Sequence, residues 1–162
     1  MTKLYKVLIP FLALLLSLQG LSKSADKTKS FILNRLQEIN PEEKSQVHYE
    51  FYLDYLIAID HSSPDGKEHA IAVLLKDVSS IKIANDKIKS IVIQSKNNAL
   101  YKIDDKEVIN FFKKVLEKNP NQIKKTGELV IPINGNTNES SLLTALKYLV
   151  KIKGGKLIDD LF

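Results

Sequence analysis

Asp60, His61, Asp65, Glu68 and His69 all fall within one stretch, DHSSPDGKEH, which holds two of the chain's three histidines. Imidazoles and carboxylates are the ligand types of zinc sites and the working groups of acid–base catalysis. The spacing argues against a helical metal motif. Zinc helices of the HExxH type place two histidines one turn apart. Here seven residues, including Pro64 and Gly66, separate His61 from His69. Turn chemistry accounts for the same residues: Ser63-Pro64-Asp65-Gly66 suits a tight turn, and Asp65 with Glu68 makes a capping box. His61 then sits at the end of one helix, where a protonated imidazole is favourable. The stretch is expected to be a turn joining two helices, with metal ligation by Asp60, His61, Asp65 and His69 as the rival reading.

Other catalytic sets are weaker. The chain has no cysteine, which removes thiol chemistry and disulfides. It has no G-x-S-x-G elbow and no phosphate-cradling glycine loop, since Gly154-Gly155 follows an expected helix instead of opening one. Glu50 and Asp54 stand four residues apart, a spacing shared by many solvated carboxylate pairs. No cofactor is implied.

The densest unusual feature is HYEFYLDY (48–55), which gathers Tyr49, Phe51, Tyr52 and Tyr55. Tyrosine offers large contact area at low entropic cost and is enriched in interface hot spots. The stretch therefore reads either as a binding surface or as core with hydroxyls at the rim. A polar stripe of Glu50, Asp54 and His61 runs beside it. The candidate binding set is Tyr49, Tyr52, Tyr55, Glu50, Asp54, His61, Asp65 and His69.

The elements that would position these residues read as mainly helical. An apolar stripe of Ile32, Leu36 and Ile39 predicts a helix over 27–39. Asn40, Pro41 and Glu43 are start signals for a second helix, running to about Asp60. Its VHYEFYLDYLIAI is apolar around most of its circumference, the pattern of a central helix. A third helix is expected over 65–79. Residues 81–103 fit helix or strand, with helix preferred to Ser95. Asp104 and Glu107 start a helix ending at Asn119-Pro120. GELVIPIN (127–134) is the best strand candidate, and Pro132 restricts it to an edge. A last helix over 139–153 carries Leu142, Leu146 and Leu149 and stops at Gly154-Gly155. The fold expected is a single bundle-like domain of five or six helices, with one short extended segment near 128–133.

The N-terminus carries a different message. Lys3 and Lys6 precede an apolar run, Val7 to Leu18, followed by small residues. That is the plan of a cleavable signal peptide over 1–22, with cleavage after Ser22 or as late as Ser24. The run is shorter than the roughly 20 residues a membrane-spanning helix needs, so no stable membrane insertion is expected after cleavage. The formal charge is +5, or +3 without Lys3 and Lys6, and Arg35 is the only arginine. Nucleic-acid sites favour the arginine fork, so no nucleic-acid partner is expected. The leading expectation is an exported, periplasmic or secreted, non-catalytic protein-binding module, such as an inhibitor or an immunity protein neutralising a toxin, with another exported protein as its partner. A carrier of a small apolar ligand, and a hydrolase or metalloenzyme using His61 and His69, are the alternatives.

Overall fold

A computed structural model describes residues 23–39, 46–62, 68–85, 87–96, 100–105, 110, 114, 124–133 and 139–158. It overturns the helical-bundle expectation: the protein is mainly β. Helix α1 covers 23–39. Strands β1 (Val47–Tyr52), β2 (Tyr55–Asp60) and β3 (Glu68–Leu74) follow. A single 3₁₀ turn, Leu75–Asp77, leads into β4 (Val78–Asn85) and β5 (Lys89–Ser95). Then come β6 (Leu100–Asp105), β7 (Lys124–Thr126), β8 (Glu128–Pro132) and helix α2 (Glu139–Ile152). One antiparallel sheet has the order β1-β2-β3-β6-β7 and the other β4-β5-β8. Among the described residues, no helix is long and apolar enough to cross a membrane.

Residues 46–60 of the expected central helix form a hairpin, and the rest of it lies outside the described residues. On β1, Val47, Tyr49 and Phe51 turn toward the core, while His48, Glu50 and Tyr52 occupy the other face. The spacing of four between Glu50 and Asp54 suits a strand as well as a helix, because four is also an even step. On β2, Leu56 and Ala58 join the main core, and Ile57 and Ile59 are buried on the opposite face. A strand covered on both faces loses its alternation and cannot be told from a buried helix by periodicity. The described part of the expected third helix, 68–79, is likewise β3, the 3₁₀ turn and the start of β4. Residues 81–95 resolve as the β4–β5 hairpin, with Ile81, Ile83, Ile91 and Ile93 on its inner face in period two. Asp104 lies in β6, not at a helix start; Asn110 and Lys114 are helical, and the rest of that expected helix falls outside the described residues.

Three local expectations hold. The helices near 27–39 and 139–153 are α1 and α2. The extended segment at 128–133 is β8, an edge strand that Pro132 ends. The glycine stop of α2 is a full Schellman motif: Gly155 N–H donates to Val150 C=O at 2.9 Å and Gly154 N–H to Lys151 C=O at 3.0 Å. Gly154 takes φ +85°, the left-handed conformation that this cap requires.

One core fills the space between the sheets and the helices. Ile32, Leu36 and Ile39 of α1 meet Leu142, Leu146, Leu149 and Val150 of α2 and the inward residues of both sheets. Leu157 closes it from the C-terminal side. Three chain crossings join the sheets, between β3 and β4, between β5 and β6, and between β7 and β8. The first is Leu75–Asp77, followed by a β-bulge between Val78 and Ser80. The last is the single residue Gly127. Bulges and sharp bends of this kind turn the corners between packed sheets.

The β1–β2 turn is tied to both helices. Leu53 and Asp54 form it, and Leu53 adopts φ +52° although it is not glycine. Lys29 of α1 donates to the Leu53 carbonyl and lies 3.8 Å from Asp54. Lys153, just past α2, pairs with the same carboxylate at 2.8 Å. Leu75 N–H donates to the Asp54 carbonyl at 2.9 Å.

Two substitutions test these constraints. Leu53 is two-thirds exposed, so Leu53→Gly removes left-handed strain without opening a cavity. It should stabilise the protein by about 0.5–1 kcal/mol, seen as a higher urea midpoint. At Gly155 an added Cβ would lie 2.4 Å from Val150 Cγ1 and 2.8 Å from the Leu75 carbonyl oxygen. Gly155→Ala should destabilise by about 1–3 kcal/mol in the same assay.

Candidate functional site

The hairpin joining β2 to β3 brings the histidine-rich stretch together by strand pairing. Asp60 and His69 are direct register partners, so their side chains share the inner face of the larger sheet. His61 and Glu68 flank them, with His61 Nδ1 3.1 Å from Glu68 Oε1. The helix–turn–helix expectation for this stretch is thus replaced by a β-hairpin, and Asp65 lies outside the described residues.

Asp60 is the best-defined group. The Ser62 hydroxyl and then the Ser62 backbone N–H, at 2.8 Å, bond its carboxylate and hold its pKa below the ordinary aspartate range. Partial burial opposes this slightly, and the charges of His69 and His61 add to the lowering. An aspartate bonding two residues ahead is an Asx turn, which ends β2. The wiring also differs from a hydrolytic triad. There the histidine stands between serine and aspartate and takes the serine proton. Here the Ser62 hydroxyl bonds the carboxylate directly. Among the described residues, no group of three or more His, Asp or Glu converges in a way that could hold a metal ion.

A partly enclosed cavity of about 210 Å³ opens beside Asp60 and His69. Tyr49, Ala58 and Ile71, one cross-strand row, form its floor, and Leu129, Val130 and Pro132 of β8 form the facing wall. Ala58 is the reason for the space: it is the small residue in a row otherwise filled by tyrosine and isoleucine.

The pleat divides the rest of the expected binding set. Tyr49 is buried and points to this cavity. Tyr52 and Tyr55 face each other across the β1–β2 turn on the opposite side of the sheet, both half-buried. Glu50 sits on that same side, opposite Ile57. Asp54 is held in the turn by Lys29 and Lys153.

A second concavity had no place in that set. An open groove of about 690 Å³ is lined by residues of α1 and α2. Phe31 and Tyr148, 38% and 42% exposed, are its aromatic walls, with Ala145 between. Thr28, Ser141 and Thr144 supply hydroxyls and Lys27 a charge. Ser24 Oγ and the Tyr148 hydroxyl are 3.0 Å apart and bridge the helices. The signal available for these residues was slight. Phe31 and Tyr148 each sit one position off the buried stripe of their helix, where an aromatic has no core to fill.

Asp60 supplies a pH test. Its folded pKa is depressed, so its contribution to stability is fully present above the unfolded aspartate value of about 3.9 and is lost as pH falls through the lower folded value. The stability difference between wild type and Asp60→Asn should be present at pH 6 and shrink progressively as pH falls below the unfolded aspartate value of about 3.9. Urea titrations across that range, with NMR titration of the carboxyl, would check it.

No family model, curated protein or solved structure matches the chain.

Proposed function

We propose that this chain is an exported, non-catalytic protein-binding module of the inhibitor or immunity-protein type, with the α1–α2 groove as its contact surface. The observation that carries the reading is the pair Phe31 and Tyr148. Two aromatic side chains stand open to solvent on either side of a groove, with hydroxyls around them. Buried interface centres are built from such anchors, surrounded by groups that can hydrogen-bond. Lys27 lines the groove, Lys23 lies one turn before it on α1, and Lys151 lies one turn beyond Tyr148 on α2. A partner segment with an apolar side chain and acidic neighbours would suit this surface by charge.

Export is supported by the leader pattern. Ala25 is buried in the core and Ser24 bridges to Tyr148. A mature chain beginning at Lys23 keeps both, whereas a cut after Ser24 would place a charged amine on the buried Ala25. The expected surface of clustered tyrosines gives way to the groove, because the β pleat sends those tyrosines to two faces.

The test is affinity capture from the native cell with a tagged full-length chain, its mature N-terminus read by intact mass. A stoichiometric exported partner is expected, with binding weakened roughly tenfold or more by Phe31→Ser with Tyr148→Ser and little changed by Tyr52→Ser. Both aromatics are more than half buried and Tyr148 bonds Ser24, so a melting curve showing that the double variant is folded accompanies the binding comparison. Partner binding that survives the double substitution would overturn the groove assignment, and an unprocessed N-terminus would overturn export.

A further inference from the structure

We propose that the cavity between β1–β3 and β8 is a binding site for a small primary amine with an apolar body. It lies apart from the α1–α2 groove and goes beyond the protein-binding reading. Its lining is mostly apolar: Val47, Tyr49, Ile71, Leu129 and Pro132, with Ala58 leaving the space. Among the described lining residues, Asp60 and His69 bring a carboxylate and an imidazole, Tyr49 adds a hydroxyl, and Asp60 and His69 stand together on one strand row. An apolar pocket with a few convergent polar groups is the common form of a small-molecule site.

Size and charge define the ligand class. A volume of about 210 Å³ has room for roughly seven water-sized atoms, well below a drug-sized ligand. An ionised carboxylate has about four acceptor positions. Ser62 occupies two of those on Asp60 through its hydroxyl and its N–H. The remaining positions can accept an ammonium group, while the ligand's hydrocarbon lies over Tyr49 and Ala58. A carboxylate ligand would meet Asp60 as a like charge, and a neutral alcohol would forgo the charge-assisted bond.

The experiment is isothermal titration of the signal-cleaved protein at pH 7 with benzylamine and hexylamine, against benzyl alcohol and hexanoate. Nitrogen–proton correlation spectra would map the site in parallel. Saturable amine binding is expected, with shifts confined to β1, β2, β3 and β8. Asp60→Asn should weaken the amines roughly tenfold while leaving benzyl alcohol unaffected. Ala58→Leu should abolish binding by filling the cavity; Ala58→Val, a smaller change, should weaken it and serves if the leucine variant does not fold. Benzyl alcohol binding as tightly as benzylamine would overturn the amine assignment. No saturable binding, or equal binding by a folded Ala58 variant, would overturn the site.

Discussion

Leu75 is where the chain first leaves one sheet for the other, and its backbone and side chain are both held. Its N–H donates to the Asp54 carbonyl in the β1–β2 turn, its side chain is buried in the core, and its carbonyl lies where only a glycine at 155 leaves room. The crossing thus fixes three things at once. It sets the height of the first hairpin against the second sheet, it seats the Schellman end of α2, and it starts the bulge that bends β4. Hydrogen bonds of this kind contribute only about 1 kcal/mol each. Their importance is geometric: a slip of one residue at the crossing would turn every side chain of β4 to the other face.

The charged contacts around the same turn play a lesser part. Lys29 and Lys153 reach Asp54 from the two helices, yet that carboxylate is about half exposed. Exposed pairs of this type are worth about 0–1 kcal/mol and are screened by salt. They orient a turn that burial has already placed. The left-handed Leu53 shows the same order of causes. Its backbone strain is tolerated because the pairing of β1 with β2 and the contacts from α1 and Leu75 over-determine the turn.

Both concave features follow from this framework. The cavity beside Asp60 exists because two sheets joined at their corners leave space where an alanine stands in a row of larger residues. The groove exists because α1 and α2 bury the stripes Ile32, Leu36, Ile39 and Leu142, Leu146, Leu149 in the common core, which turns Phe31 and Tyr148 outward. Neither was legible as a site along the chain. Asp60 and His69 could be suspected from their types, but their adjacency comes from hairpin register. Ser24 and Tyr148 lie too far apart in sequence for any local pattern to join them.

What the residues alone determined was local. The two helices, the glycine cap at 154–155 and the proline-limited edge strand rest on caps, φ preferences, missing donors and apolar periodicity, all of which act within a few residues. What only the tertiary structure decided was the state of 46–95. There Ile57, Ile59, Ala70 and Ala72 are buried behind the sheet while Leu56, Ala58, Ile71 and Val73 are buried or half-buried before it. Cover on both faces erases the alternation that marks a strand, the turn at Leu53-Asp54 carries no glycine, proline or asparagine, and a four-residue polar spacing satisfies both periods. The choice between helix and sheet then fell to pairing partners distant in the chain, and the positions of Asp60, His69, Phe31 and Tyr148 fell with it.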